Sequence, residues 1–116
     1  MAHLDDGARA EQLAADYLRR RGLTLIERNY RCRAGEIDLI LRDGTTLVFA
    51  EVRLRKSGAF GGAASSITAQ KQHRLRLAAQ HYLQTLAAEP PCRFDALLLD
   101  KLDENAVEWI KNAFSG

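Results

Sequence analysis

GEIDLILRDGTTLVFAEVRLRK, residues 35–56, decides the fold. Two apolar-rich runs flank Asp43-Gly44, a strong short-range signal for a hairpin turn. Residues 36–41 and 46–54 therefore read as neighbouring antiparallel strands. Centring the turn on Asp43-Gly44 sets Arg42 opposite Thr45 and makes paired positions sum to about 87. Glu36 then faces Glu51, and Asp38 faces Phe49 with Glu51 on its diagonal. Directly paired residues share a face and side chains alternate along a strand, so Glu36, Asp38, Glu51 and Arg53 point to one side. Like charges facing each other across a ladder are destabilising. The pattern makes sense if a cation sits among the carboxylates. Mg²⁺, or Mn²⁺ in its place, suits one or two carboxylates, waters and substrate phosphate. Asp38 and Glu51 are the expected ligands, and Arg53 the positive charge on the phosphate. The competing reading is a wet strand end whose acids pair with Arg33, Arg53 or Arg55.

Outward from the hairpin, Asp5 or Asp6 caps a first helix near residues 6–21, with Ala10, Leu13, Ala14, Tyr17 and Leu18 at helical spacing. Gly22 stops it. Residues 23–30 form the first strand. Residues 57–66, rich in Gly, Ala and Ser, form a loop. Ser66 or Thr68 caps a second helix, whose apolar face runs from Leu75 through Leu86 before Pro90-Pro91. The almost wholly apolar run 94–99 reads as a strand covered on both faces, with Asp95 near its end. Residues 107–110 are a weak edge strand, and Trp109 belongs to the core. The order is α-β-β-β-α-β-β, an α/β mixed sheet with helices on both faces.

A chain of 116 residues is one domain's worth. No apolar run approaches the ~20 residues of a membrane span, and MAHLDDGARA has no apolar core of a secretory signal. Cys32 and Cys92 form no CxxC, and free thiols fit a cytoplasmic protein. The net charge of +2 does not by itself announce a nucleic-acid binder. Its distribution says more. Basic residues gather at 19–21, at Arg28/Arg31/Arg33, at Arg53/Arg55/Lys56 and at Lys71/Arg74/Arg76. Any one cluster reads as solvated surface; four around an acidic hairpin point to a phosphate-binding face. His73 and His81, eight apart, lack the spacing of a metal pair. The glycines at 58–62 lack the Gly-Lys-Ser/Thr of a phosphate loop, and Ser65-Ser66 lacks a GxSxG elbow.

GEIDLI, FAEVRLR, the Phe-Gly at 60–61, Lys71 with Arg74-Leu75, Tyr82-Leu83, Arg93-Phe94-Asp95 and Asn112-Ala113-Phe114 resemble the bacterial YraN family. That family is uncharacterised in function and grouped with the PD-(D/E)XK nuclease superfamily. The resemblance runs from Gly7 to Phe114. It implies a restriction-endonuclease-like core, residues 1–116 as a single domain, and metal-dependent hydrolysis of DNA phosphodiesters, branched or junction DNA included. Asp38 matches the superfamily's first acid and Glu51 its second; Ile37 stands where a loosely kept Pro would be. GARAE, residues 7–11, resembles the first helix of archaeal Holliday junction resolvases, which makes Glu11 a third candidate metal ligand. Glu36 supports the metal site, and Arg33, Arg55, Lys56, Lys71 and Arg74 are expected to contact the nucleic acid. The departure is Arg53 where the pattern expects Lys. Arginine stays protonated and can orient and stabilise but not release a proton. Two further readings follow: a non-catalytic nucleic-acid-binding module of the same fold, and a protein-interaction domain. No small-molecule cofactor is expected, and a homodimer is compatible with the sequence.

Overall fold

The computed structural model describes residues 5–55 and 67–114. The expected loop 57–66, with Ser66, and Lys56 lie outside the described residues.

The first helix, α1, spans Asp6–Arg20. Asp5 caps it, its carboxylate accepting the Ala8 N–H at 2.7 Å. Arg19 and Arg20 stand in the last turn, where cations complement the carbonyl end. Gly22 follows at φ +93°, a conformation that glycine adopts at little cost. Three antiparallel strands come next: β1 Thr24–Cys32, β2 Gly35–Asp43 and β3 Thr46–Leu54. β1 runs two residues beyond its expected end and carries a bulge between Leu25 and Glu27, where Ile26 is left exposed. The second helix, α2, spans Ala69–Leu83 and is capped by Thr68, whose Oγ1 accepts the Lys71 N–H at 3.2 Å. β4, Cys92–Leu99, pairs parallel with β3; β5, Val107–Phe114, pairs antiparallel with β4 after a short 3-10 turn. The five strands lie in chain order, β1-β2-β3-β4-β5, in one mixed sheet.

Alternation along the strands divides the core in two. Leu39, Leu41, Val48 and Ala50 pack with Leu97, Leu99 and α1's Ala14, Ala15 and Leu18. Ile40, Leu47 and Phe49 pack with Phe94 and α2's Leu75, Ala78 and Ala79. Odd and even positions of a strand face opposite ways, so each helix covers its own side of the sheet. The predicted element order is observed.

Three expectations change. The hairpin register is shifted by two: Asp43 pairs with Thr46, and the turn is Gly44-Thr45. Gly44 sits at φ +62° and Thr45 does not, the pattern of a type II′ turn, which wants glycine first. Centring on Asp43-Gly44 would have forced a positive φ on Asp43. Second, β5 reaches Phe114, four residues past its expected end, because Phe114 stacks on Phe94 and Trp109 packs on the α1 side. Third, Asp95 lies within β4 and is fully buried. Its carboxylate accepts from Arg93 Nε at 3.1 and 3.2 Å, from Trp109 Nε1 at 3.0 Å and from the Asn112 N–H at 2.9 Å. Asp95 thus anchors β5 beside the bulge in the β4–β5 ladder.

Candidate active site

Pairing between β2 and β3 runs from the turn to Leu39–Ala50. Beyond that rung strict alternation is lost: Ile37 and Ile40 both pack in the α2-side core, whereas a regular strand would send them to opposite faces. Asp38 and Glu51 are like-charge neighbours, and Glu36 is held by Arg31.

At this end of the hairpin a side chain takes over from the ladder. Asp38 Oδ2 accepts the Val52 N–H at 2.9 Å. Asp38 is 8% exposed, and half-buried Glu51 lies close enough to feel its charge. Burial raises the pKa of both. For Glu51 the largest cause is desolvation, then the charge of Asp38; Lys71 and Arg53 oppose these, and it stands at about 8. Asp38 is raised chiefly by desolvation, against the stabilising Val52 hydrogen bond. Each carboxyl therefore keeps its proton to a higher pH than it would in water. Glu11, reaching from α1, is also raised, by desolvation first and by the charge of Asp38 second.

These groups line one cleft of about 650 Å³. Gly7, Ala10 and Glu11 of α1 form one wall, and Lys71 and Arg74 of α2 another. Between them lie Glu36, Asp38, Glu51 and Arg53, with Arg31 at the end of β1. The approach of α2 depends on Gly35: a Cβ there would stand 2.5 Å from the backbone oxygen of Arg74. The absent side chain lets the helix backbone rest on the strand and brings its first turns over the acids.

Of the expected site residues, Glu11, Glu36, Asp38, Glu51, Arg53, Lys71 and Arg74 share this cleft. Arg55 and Arg33 do not line it. Arg55 is held by Asp100, with Nη2 at 2.7 Å from Oδ1, and Arg33 is exposed at the β1–β2 turn. Arg31 is the residue that the sequence reading passed over as a site residue. Its signal was the second hairpin: a turn at Arg33-Ala34 pairs Arg31 with Glu36, as observed. Arg31 Nε donates to Glu36 Oε2 at 3.1 Å. His73 is exposed, and His81 shares a hydrogen bond with the Tyr30 hydroxyl. Cys32 and Cys92 are free thiols.

A family model described as an uncharacterised protein family, UPF0102, matches residues 10–99. The chain belongs to UPF0102, the YraN family. A UPF0102 protein of Nitrosomonas europaea is 58% identical over 108 residues, covering 93% of this chain and 92% of that one. One from Methylobacillus flagellatus is 55% identical over 109 residues, covering 94% and 96%. One from Cupriavidus necator is 54% identical over 110 residues, covering 93% and 81%. The UPF0102 match begins within α1 and spans the hairpin, α2 and β4, and so includes Glu11, Asp38, Glu51 and Lys71. No helix among the described residues is long and apolar enough to cross a membrane.

Proposed function

We propose that this UPF0102 chain is a nuclease-like domain that binds DNA at the acidic cleft and hydrolyses phosphodiesters with Mg²⁺ or Mn²⁺ held by Asp38 and Glu51. The observation that carries the reading is the neighbouring pair of buried Asp38 and half-buried Glu51, flanked in one cleft by Arg31, Arg53, Lys71 and Arg74. Two neighbouring carboxylates withdrawn from water disfavour each other's charge, and a divalent cation reverses that penalty. Phosphate in turn needs the surrounding cations. Two oxygen donors beside a solvent-filled cleft suit a cation that keeps several waters. Among the described residues no group of three His, Cys, Asp or Glu side chains forms a ready metal cage, so the fit is to Mg²⁺ bound by two acids, with Glu11 assisting through water. When bound, such a cation polarises the phosphoryl oxygens and lowers the pKa of water. Arg53 stabilises negative charge on the phosphate, and Lys71 and Arg74 hold the backbone. The restriction-endonuclease-like resemblance, and with it branched or junction DNA as substrate, belongs to this proposal.

The second reading, a DNA-binding module without turnover, is favoured by Arg53, which cannot give up a proton as lysine can. One assay separates the two. The protein is incubated with branched, single-stranded and linear DNA and Mg²⁺ or Mn²⁺, beside Arg53→Lys and Asp38→Asn. Metal-dependent cleavage lost in Asp38→Asn supports the nuclease. Salt-dependent binding with no cleavage in either the natural chain or Arg53→Lys supports the binding module. A protein that neither binds nor cuts is neither, and a protein-interaction role then takes precedence.

A further inference from the structure

Arg31, Glu36 and Arg53 lie on three neighbouring strands at the mouth of the cleft. Arg31 on β1 pairs directly with Glu36 on β2, and β2 lies between β1 and β3, the strand that carries Arg53. All three line the cleft. Glu36 therefore sits on the strand between those that carry the two arginines, and all three open on the same cleft. It holds Arg31 by one donor, Nε, at 3.1 Å. A guanidinium has five N–H donors in a planar fork, so that bond leaves the Nη side able to grip a phosphate.

The carboxylate between the arginines has a consequence for the ligand. A single phosphate drawn to both guanidiniums would be pressed against Glu36, and like charges repel. Each arginine is better served by a phosphate of its own, with Glu36 keeping the two guanidiniums apart. Resting on the nucleic-acid reading above, we infer that Arg31 binds the phosphate next to the one at Arg53. The ligand is then a polynucleotide strand with at least two consecutive charged phosphates, and a lone phosphodiester is a poor one.

The test counts phosphates. Binding of the thymidine dinucleotide TpT and the trinucleotide TpTpT is measured by NMR titration in low salt with EDTA, so that no metal contributes. Two phosphates raise affinity twofold by statistics alone. The natural chain is expected to prefer TpTpT by about tenfold or more, the size of one charge-assisted contact. Arg31→Ala should keep its TpT affinity and fall to a twofold preference. Arg28→Ala, an exposed β1 arginine that pairs with Gln12 outside the cleft, should retain the full preference. Longer DNA with the same variants adds a second readout: Arg31→Ala should lower the salt slope by about one ion. Binding of longer DNA with no preference for TpTpT in the natural chain, or a preference that survives in Arg31→Ala, or an equal loss for both ligands, overturns this inference and leaves the nucleic-acid reading standing. Absence of binding to the short ligands and to long DNA overturns both.

Discussion

The Asp38 carboxylate accepts the backbone N–H of Val52 at 2.9 Å, just beyond the last regular rung of the β2–β3 ladder, Leu39–Ala50. The same side chain thus closes the hairpin and faces Glu51. Asp38→Ala leaves a buried N–H without its acceptor, which costs about 1–3 kcal/mol. Asp38→Asn keeps an acceptor oxygen for Val52 and removes the like charge beside Glu51. Denaturant titration should therefore show Asp38→Ala destabilised and Asp38→Asn at or above the natural stability, although both lose the proposed cation site. Equal destabilisation by the two would show that the charge, not the acceptor, holds the strands.

Glu51 gives the metal-free protein a pH dependence of stability. Its pKa is raised from 4.5 to about 8 on folding. Between those values the folded state binds more protons than the unfolded one, so stability falls as pH rises. The full penalty is present above about pH 8 and absent below about pH 4.5. Asp38, also raised, acts in the same direction. In EDTA, Tm should decline from pH 5 to pH 8 by roughly 4 °C for each kcal/mol lost. Glu51→Gln should flatten most of that decline. Millimolar Mg²⁺ should flatten it in the natural chain and not in the variant.

Gly35 is tested by one methyl group. Alanine there meets the Arg74 backbone oxygen at 2.5 Å, a distance at which something must move. Forced overpacking of this kind costs typically ~1–3 kcal/mol. Because the obstacle is helix backbone, α2 should shift as a unit and carry Lys71 and Arg74 with it. Gly35→Ala is thus expected to weaken DNA binding without changing any charge. Gly44→Ala, at a positive-φ turn facing open space, should lower stability while leaving binding intact once the protein is folded.

Asp95 predicts the largest loss. It is fully buried, and its carboxylate serves Arg93, Trp109 and the Asn112 N–H. Asp95→Ala leaves Arg93 to Asp43 alone, 2.9 Å from its Nη2, and leaves the Trp109 and Asn112 donors without an acceptor, at about 1–3 kcal/mol for each donor. Trp109→Phe removes one donor together with its acceptor contact and should cost less. Tryptophan fluorescence of Asp95→Ala should report a more exposed Trp109 before the rest of the fold melts.

Sequence reading reached the element order and the grouping of the acids because both rest on period and parity. Leu39 and Ile40 send successive side chains to opposite cores whatever the exact turn. A register error of two residues preserves parity, and Asp38 and Glu51 line one cleft. It did harm the pairing, since only the φ of Gly44 chooses between adjacent turn positions. Arg55 and Arg33 were indistinguishable in sequence from cleft residues. What sets them apart is Asp100 beside one and the open β1–β2 turn under the other. The contact between Gly35 and the Arg74 backbone joins residues far apart in the chain, and local pattern carries no trace of it.

The strands lie side by side in the order in which they are made. On the ribosome, α1 and the β1–β3 meander emerge first, bringing Glu11, Glu36, Asp38 and Glu51 with Arg31 and Arg53. Lys71 and Arg74 emerge only with α2. The nascent chain thus builds the acidic half of the cleft before its opposite wall exists. Until α2 follows, the acids lack the charge of Lys71, which favours the ionised form of Glu51. The helix that completes the cleft also brings the positive charge that offsets its acids.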